Sequence, residues 1–285
     1  MTIRRLLALV LCAASVCLLD ACGPSAQRVD RAAPSLGTTW VMLVDLSGST
    51  LSARHDYIDA LREVLDAVRP GDYLAILSIE QSSIENSRYL YQGEFPCFVF
   101  SPGTPPDSDN QLLLEAFKAK EKQRYANEKA QFERRHDLNT LRRRIRTTVT
   151  HTILTHEAPA TDVFGALQLC GNLFSTTQGP HRLVMLTDGV VEDQKVSFRR
   201  HPPTDRLISS LARTQRLEHR LPSLHGARVL VVGARLGSAV GFAQLSHAWC
   251  LYINRYAGGS LQSRFFMSRL GDQLFSAWLQ AGDGA

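Results

Sequence analysis

The feature that most constrains the fold of this chain is the stretch WVMLVDLSGS at residues 40–49. Its five consecutive apolar residues, some of them β-branched, predict a strand that is buried on both faces, as in a parallel sheet. The strand ends in Asp45, and Ser47 and Ser49 follow in a turn that contains Gly48. Open α/β sheets bind ligands beyond the carboxyl ends of such strands. One carboxylate beside two hydroxyls also suits a hard divalent cation such as Mg²⁺.

Two later loops carry matching oxygen side chains. Thr161 lies in ATDVFGAL at residues 160–167, and Asp188 lies in LVMLTDG at residues 183–189, directly after another apolar strand. An Asp-x-Ser-x-Ser motif followed in this order by a Thr loop and an Asp loop resembles the metal-ion-dependent adhesion site of von Willebrand factor A (VWA) domains. The resemblance covers roughly residues 38–258 and is interrupted by an insertion.

The resemblance implies coordination chemistry. Ser47, Ser49 and Thr161 would offer hydroxyl oxygens to Mg²⁺, or to Mn²⁺ or Ca²⁺, and Asp45 and Asp188 would supply negative charge, often through bound water. The family usually binds a protein partner whose acidic side chain completes the metal shell. We therefore expect metal-dependent protein binding.

Other interpretations of the same residues remain open. Asp162 is an alternative ligand from the second loop, although alignment of the following VFGAL favours Thr161. Ser47 and Ser49 could instead cap a helix, and Asp188 could begin an ordinary turn. A degenerate site with the same fold but no metal is a further possibility.

An enzyme is not expected. Asp45 could be the nucleophile of a phosphoryl-transfer enzyme of the haloacid dehalogenase type, but that chemistry needs a second acid two residues later, where Ser47 stands. The sequence also has no Gly-x-Ser-x-Gly, Gly-x-x-x-x-Gly-Lys-Ser/Thr or His-Glu-x-x-His motif.

The first residues predict export. A positively charged start precedes an apolar run at residues 6–19, which is typical of a secretory signal and too short for a stable membrane span. The sequence LDACG at residues 19–23 resembles a bacterial lipobox, in which Cys22 becomes the lipidated first residue. Asp20 departs from that pattern, since the position usually carries a small or apolar residue. We thus expect a lipoprotein signal peptide over residues 1–22.

The next segment predicts a membrane tether. Residues 23–37 are rich in Ala, Ser, Pro and Arg, and they would hold the domain at residues 38–285 near the bacterial cell envelope. Gly23 offers no inner-membrane retention signal, so the outer membrane is slightly preferred, with the domain facing the periplasm or exposed at the surface. Because Asp45 lies at the far end of its strand from the tether, we expect the metal site to point away from the membrane.

Strand and helix patterns alternate along the rest of the chain. This alternation predicts an α/β fold, with a doubly wound, mostly parallel sheet and helices on both faces. The predicted strands are 73–79, 95–100, 183–186 and 228–233, and the predicted helices are 55–69, 163–174, 205–219, 242–256 and 268–279.

A long, basic, mostly helical insertion is predicted at about residues 107–150. Residues 111–146 contain 11 Lys and Arg against 5 Asp and Glu, and their apolar residues fit a helical stripe only loosely. The insertion is either a solvated helix or a surface for anionic lipid or a protein partner. If the insertion is the binding surface, the chain would be an assembly scaffold with a degenerate metal site. The net charge of +5 over 285 residues does not by itself imply a nucleic-acid partner, and we expect none.

The cysteines predict no disulfide framework. After removal of the signal and lipidation of Cys22, the odd set Cys97, Cys170 and Cys250 remains. Each is expected to be a buried, small apolar residue rather than a metal or redox ligand.

Overall fold

The computed structural model describes residues 37–81, 83–85, 88–191, 197–198, 203–235 and 238–280. The expected signal peptide, the lipidated Cys22 and nearly all of the tether lie outside these residues, so these features stay predictions. No helix in the described ranges is both long enough and apolar enough to cross a membrane.

The architecture centres on a six-stranded sheet with the order β3-β2-β1-β4-β5-β6. Neighbouring strands are parallel except for β2 and β3, which are antiparallel. All seven residues of β1 are buried, which requires cover on both faces because successive side chains point to opposite sides. The strands are β1 (Thr39–Asp45), β2 (Tyr73–Ile79), β3 (Arg88–Glu94), β4 (His181–Leu186), β5 (Arg228–Val232) and β6 (Phe266–Met267).

Helices connect the strands and cover both faces of the sheet, which confirms the predicted doubly wound α/β fold. A short 3₁₀ helix (Gly48–Ala53) follows β1 and leads into the first α-helix. The helices are α1 (Arg54–Ala67), α2 (Gln111–Arg135), α3 (Leu138–Thr155), α4 (Val163–Thr176), α5 (Asp205–Leu217), α6 (Ala239–Leu251) and α7 (Asp272–Gln280). A π-helical turn (Tyr252–Tyr256) extends α6, so the aromatic helix predicted at residues 242–256 is confirmed with this change of geometry.

The predicted strand at residues 95–100 is wrong, because this segment contains no strand. Phe95 makes the last sheet-like contacts, donating its N–H to Asp72 O at 2.7 Å and accepting from Gly71 N at 2.8 Å. Pro96 follows and has no N–H to donate, so pairing cannot continue. The missed strand is β3, whose largely exposed residues are typical of a sheet edge and lack the apolar run that marks the buried strands.

The predicted insertion divides into two parts with different roles. Helix α2 buries none of its residues. Helix α3, by contrast, buries Ile145, Val149 and Ile153 at helical spacing, and it packs against α1. The second half of the segment therefore belongs to the core and continues to Thr155, beyond the predicted limit at residue 150.

Arg142, one of the arginines of the predicted basic insertion, has a structural role. The Arg142 guanidinium donates to Leu65 O at 2.9 Å and to Val68 O at 2.8 Å, where α1 ends. These carbonyls lack intrahelical partners and attract positive charge. Arg142 thus fastens α3 to the end of α1.

The three cysteines in the described part of the chain are free. Cys170 is buried on α4 as expected, whereas Cys250 is only half-buried and the expected burial of Cys97 is wrong, because this residue is exposed. Burial raises the pKa of the Cys170 thiol far above its usual range, so this residue behaves as an apolar side chain.

Candidate metal centre

The predicted site residues Asp45 and Asp188 lie at the same edge of the sheet. Asp45 is the last residue of β1, and Asp188 comes two residues after the end of β4, the parallel neighbour of β1. The direction of winding reverses between these two strands, since β2 and β3 lie on one side of β1 and β4 to β6 on the other. Doubly wound sheets bind ligands in the crevice at such a point.

The Asp45 carboxylate is fully buried and held at both oxygens. Its Oδ1 accepts from the backbone N–H of Ser47 at 3.0 Å, and its Oδ2 accepts from Thr187 Oγ1 at 2.9 Å. Burial raises the pKa of Asp45, while these hydrogen bonds and the positive charge of Arg54 act in the opposite direction. A nearby cation would favour the charged form of this carboxylate.

Ser47 and Ser49 present their hydroxyls to each other, with 3.0 Å between the two Oγ atoms. Ser47 stands at the start of the 3₁₀ helix, but its side chain makes no capping hydrogen bond, contrary to the helix-cap interpretation. The turn is held instead by Thr50, whose hydroxyl donates to Asp45 O and Ser47 O, both at 2.9 Å. The two serine hydroxyls therefore bond to each other and not to the helix end, and the Ser47 side chain also helps to lower the pKa of Asp45.

Thr161 and the two serines line one surface cleft of about 550 Å³, which we call the site cleft. Its lining includes Ser47, Gly48, Ser49, Glu157, Thr161 and Val190. The neighbouring Asp162 carboxylate caps helix α4 by accepting the Gly165 N–H at 2.8 Å. Asp162 is thus engaged in the helix terminus, whereas Thr161 lines the site cleft.

The Asp188 loop is fixed by its own contacts. Asp188 is 5% exposed, and its Oδ1 accepts the Val190 N–H at 2.8 Å. Gly189 has a φ of +76°, a left-handed conformation that favours glycine, and its carbonyl accepts from Trp249 Nε1 at 2.9 Å. The carboxylate is therefore presented on a turn that is anchored from the core.

Sequence reasoning missed three residues that support the site. Thr187 binds Asp45, and its position beside Asp188 was the only local signal. Arg54 is 4% exposed and donates to Leu46 O at 3.1 Å. Tyr57 is fully buried, its hydroxyl lacks a hydrogen-bond partner among the described residues, and burial together with the charges of Asp45 and Asp188 raises its pKa. On helix α1, Arg54 and Tyr57 follow ordinary helical periodicity and could not be distinguished from surface or core residues.

The donor atoms fit a hard cation. Three hydroxyls and two carboxylates provide oxygen alone, which is the preference of Mg²⁺, Mn²⁺ and Ca²⁺. Across the described ranges there is no group of three or more His, Cys, Asp and Glu suited to a metal. A cation bound here would therefore depend on the serine and threonine hydroxyls as much as on the two acids.

No protein-family model matches the chain, and no curated protein matches it. Among solved structures, it is similar to a von Willebrand factor type A protein from Catenulispora acidiphila (12% identity, TM-score 0.42, 87% of this chain and 42% of that one). It is also similar to the pilus adhesin SpaC from Lactobacillus rhamnosus GG (10%, 0.43, 87% and 30%). A third similar structure is the vWF domain of the type V pili tip protein Mfa5 from Porphyromonas gingivalis (10%, 0.40, 87% and 95%).

The chain spans less than half the length of the first two of these proteins.

Proposed function

We propose that this chain is a VWA-type protein of the bacterial cell envelope that binds a divalent cation, most simply Mg²⁺, and through it an acidic side chain of a protein partner. The observation that carries the proposal is the convergence of Ser47, Ser49 and Thr161 in one cleft at the switch point of the sheet. At the same edge Asp45 ends β1, and Asp188 follows two residues after the end of the neighbouring β4.

The three hydroxyls and the two carboxylates have different roles at the cation. Ser47, Ser49 and Thr161 are direct ligands, and Asp45 and Asp188 supply negative charge through bound water. With few direct carboxylates, the cation keeps a strong affinity for one more anionic oxygen, which the partner supplies. Asp162 is left out because its carboxylate already caps α4. Catalysis is not part of the proposal, since a serine occupies the place of the second acid.

The envelope location is supported by sequence alone. A lipidated Cys22 and a tether over residues 23–37 would hold the domain at the membrane, with the outer membrane preferred. In sequence the tether leads into the N-terminal end of β1, and Asp45 is the last of the seven residues of this strand, roughly 20 Å from the first. The site would then face away from the membrane, towards a partner in the periplasm or at the cell surface.

Titration calorimetry of the full chain with Mg²⁺ and Mn²⁺ tests the metal site. We expect saturable binding that is lost in Asp45→Ala/Ser47→Ala. A matched control, Asp107→Ala/Ser108→Ala, removes the same side chains from a loop before α2 and should bind as the unmodified chain does. Absence of saturable binding of either cation by the unmodified chain would contradict the proposal.

A second function, an assembly scaffold that binds through α2, is favoured by one observation. Helix α2 is 25 residues long, buries none of them, and carries seven Lys and Arg against four Glu. It contacts the preceding segment through aromatic pairs, such as Phe98 with Tyr125 at 5.6 Å between ring centroids, and through hydrogen bonds, such as Gly103 N–H to Glu121 Oε2 at 2.8 Å. Deleting residues 111–135 separates the two functions. Partner capture that survives the deletion but is lost in Asp45→Ala assigns binding to the metal site.

A further inference from the structure

Glu157 is a carboxylate that the chain itself brings to the site cleft. It lies four residues before Thr161 and lines the same cleft as Ser47 and Ser49. The backbone beside it is fixed, because Ala158 N donates to Leu46 O at 3.0 Å and forms a parallel bridge with Ser47. The Glu157 loop is therefore fastened to the motif that carries the two serines.

The contact with Gly48 shows how near this carboxylate comes. A Cβ atom placed on Gly48 would lie 2.7 Å from Glu157 Oε1, closer than real Cβ atoms approach other atoms. Gly48 is not among the glycines with a positive φ, and its backbone belongs to the 3₁₀ helix. The contact therefore concerns space rather than backbone conformation, and a Cβ here would displace the tip of the Glu157 side chain. Its missing side chain lets the Glu157 carboxylate rest over the backbone between Ser47 and Ser49.

No hydrogen bond or ion pair with any described residue engages the Glu157 carboxylate. The neighbouring His156 contacts a different carboxylate, with its Nε2 at 3.5 Å from Glu80 Oε1. Glu157 is also solvent-exposed, so moving it would uncover no packed core. It is an anionic oxygen donor held by its backbone at the edge of three hydroxyls and free to move at its tip.

We propose that Glu157 is an internal ligand that completes the cation shell of this site until the acidic side chain of a partner displaces it. The inference rests on the proposed function and adds its regulation. A carboxylate on a short tether has a high effective concentration at the site, so it competes well with dilute external acids. Only a partner with further contacts of its own would displace it, which would give the site selectivity against free carboxylates.

The test uses the full chain with Mn²⁺ as the probe and two variants of equal charge. Glu157→Gln removes the proposed ligand, and Glu133→Gln removes an exposed Glu from helix α2. Mn²⁺ affinity is measured by electron paramagnetic resonance, and access of water to the bound ion is measured by water-proton relaxation. We expect Glu157→Gln to weaken Mn²⁺ binding by about tenfold or more, as loss of a metal-site partner typically does. We also expect it to raise the water-proton relaxation rate produced by the bound ion. Glu133→Gln should match the unmodified chain.

Acetate then stands in for the acidic side chain of the partner. Acetate should lower the water-proton relaxation rate produced by bound Mn²⁺. This should happen at smaller acetate concentrations in Glu157→Gln than in the unmodified chain, because the Glu157 carboxylate no longer competes. Gly48→Ala provides a second variant, in which the new Cβ pushes the carboxylate away without removing it, and it should change the relaxation in the same direction.

The possible failures are distinguishable. If the unmodified chain binds no Mn²⁺, the proposed function fails and this inference with it. If it binds Mn²⁺ but Glu157→Gln leaves affinity, relaxation and acetate response unchanged, the internal ligand is refuted and the metal site stands.

Discussion

Replacing Thr187 by Val removes a single hydroxyl that holds the centre of the site. Its Oγ1 donates to Asp45 Oδ2 at 2.9 Å and accepts from the Gly189 N–H at 3.1 Å, and both side chains of the Thr187–Asp45 pair are fully buried. Valine keeps nearly the same shape, so the change isolates the hydrogen bonds from packing.

The magnitude follows from these two bonds. A hydrogen bond to a charged group contributes about 1.5–3 kcal/mol and a neutral one about 1 kcal/mol, so Thr187→Val should lower the free energy of unfolding by about 2–4 kcal/mol. The loss should be larger at pH 7 than near pH 4, because a protonated Asp45 depends less on the donated hydrogen bond. The raised pKa of Asp45 should rise further once this donor is gone.

Urea unfolding of the metal-free protein, followed by circular dichroism in the presence of EDTA, measures this difference. Thr187→Ser is the matched control, because it keeps the hydroxyl and loses only one methyl group, which costs about 1 kcal/mol. A Thr187→Val midpoint within error of the unmodified protein, or equal losses in both variants, would show that the hydroxyl does not stabilise the site as argued.

Three further outcomes are expected. Burial raises the pKa of Asp45 in the folded protein, so the metal-free protein should lose stability as the pH rises from the ordinary Asp pKa through this raised pKa, by up to about 1.4 kcal/mol per pH unit. Asp45→Asn should remove this loss, measured by urea unfolding at several pH values, and should also abolish cation binding. Gly233→Ala should destabilise the fold by about 2 kcal/mol or more in the same assay, since its φ is +95° and a Cβ would lie 2.4 Å from the Tyr57 ring. In thiol titration, Cys97 should react at once and Cys170 only on unfolding, because Cys170 is buried and its pKa is raised; fast reaction of both would contradict the packing of α4.

The sheet was largely predictable because its signals are local. Residues 73–79 were predicted as a strand, and β2 has the same bounds, since a continuous apolar run can be satisfied only by burial. The edge strand β3 was missed because a half-exposed strand carries no such run. The role of α3 was missed for another reason. Its buried stripe is diluted by arginines, one of which, Arg142, is used to fasten helix ends together.

At the site, the motif order predicted the oxygen-bearing side chains but not their supports. Asp45, Ser47 and Ser49 are adjacent in sequence, and Thr161 and Asp188 each follow a recognisable loop pattern. Thr187 is 142 residues from Asp45, and their hydrogen bond exists only because β1 and β4 pair in one register. Position in sequence carries no information about such a contact.

The sequence by itself determined the buried β1 strand, the alternation of strands and helices, and the order of the oxygen-bearing loops. These depend on hydrophobic periodicity and local turn chemistry, which act over a few residues. The tertiary structure alone decided that Asp162 caps a helix while Thr161 lines the site cleft, and that Glu157 rests over Gly48. Such contacts depend on strand register and on how each loop closes, and these are set by packing of the whole domain rather than by any local pattern.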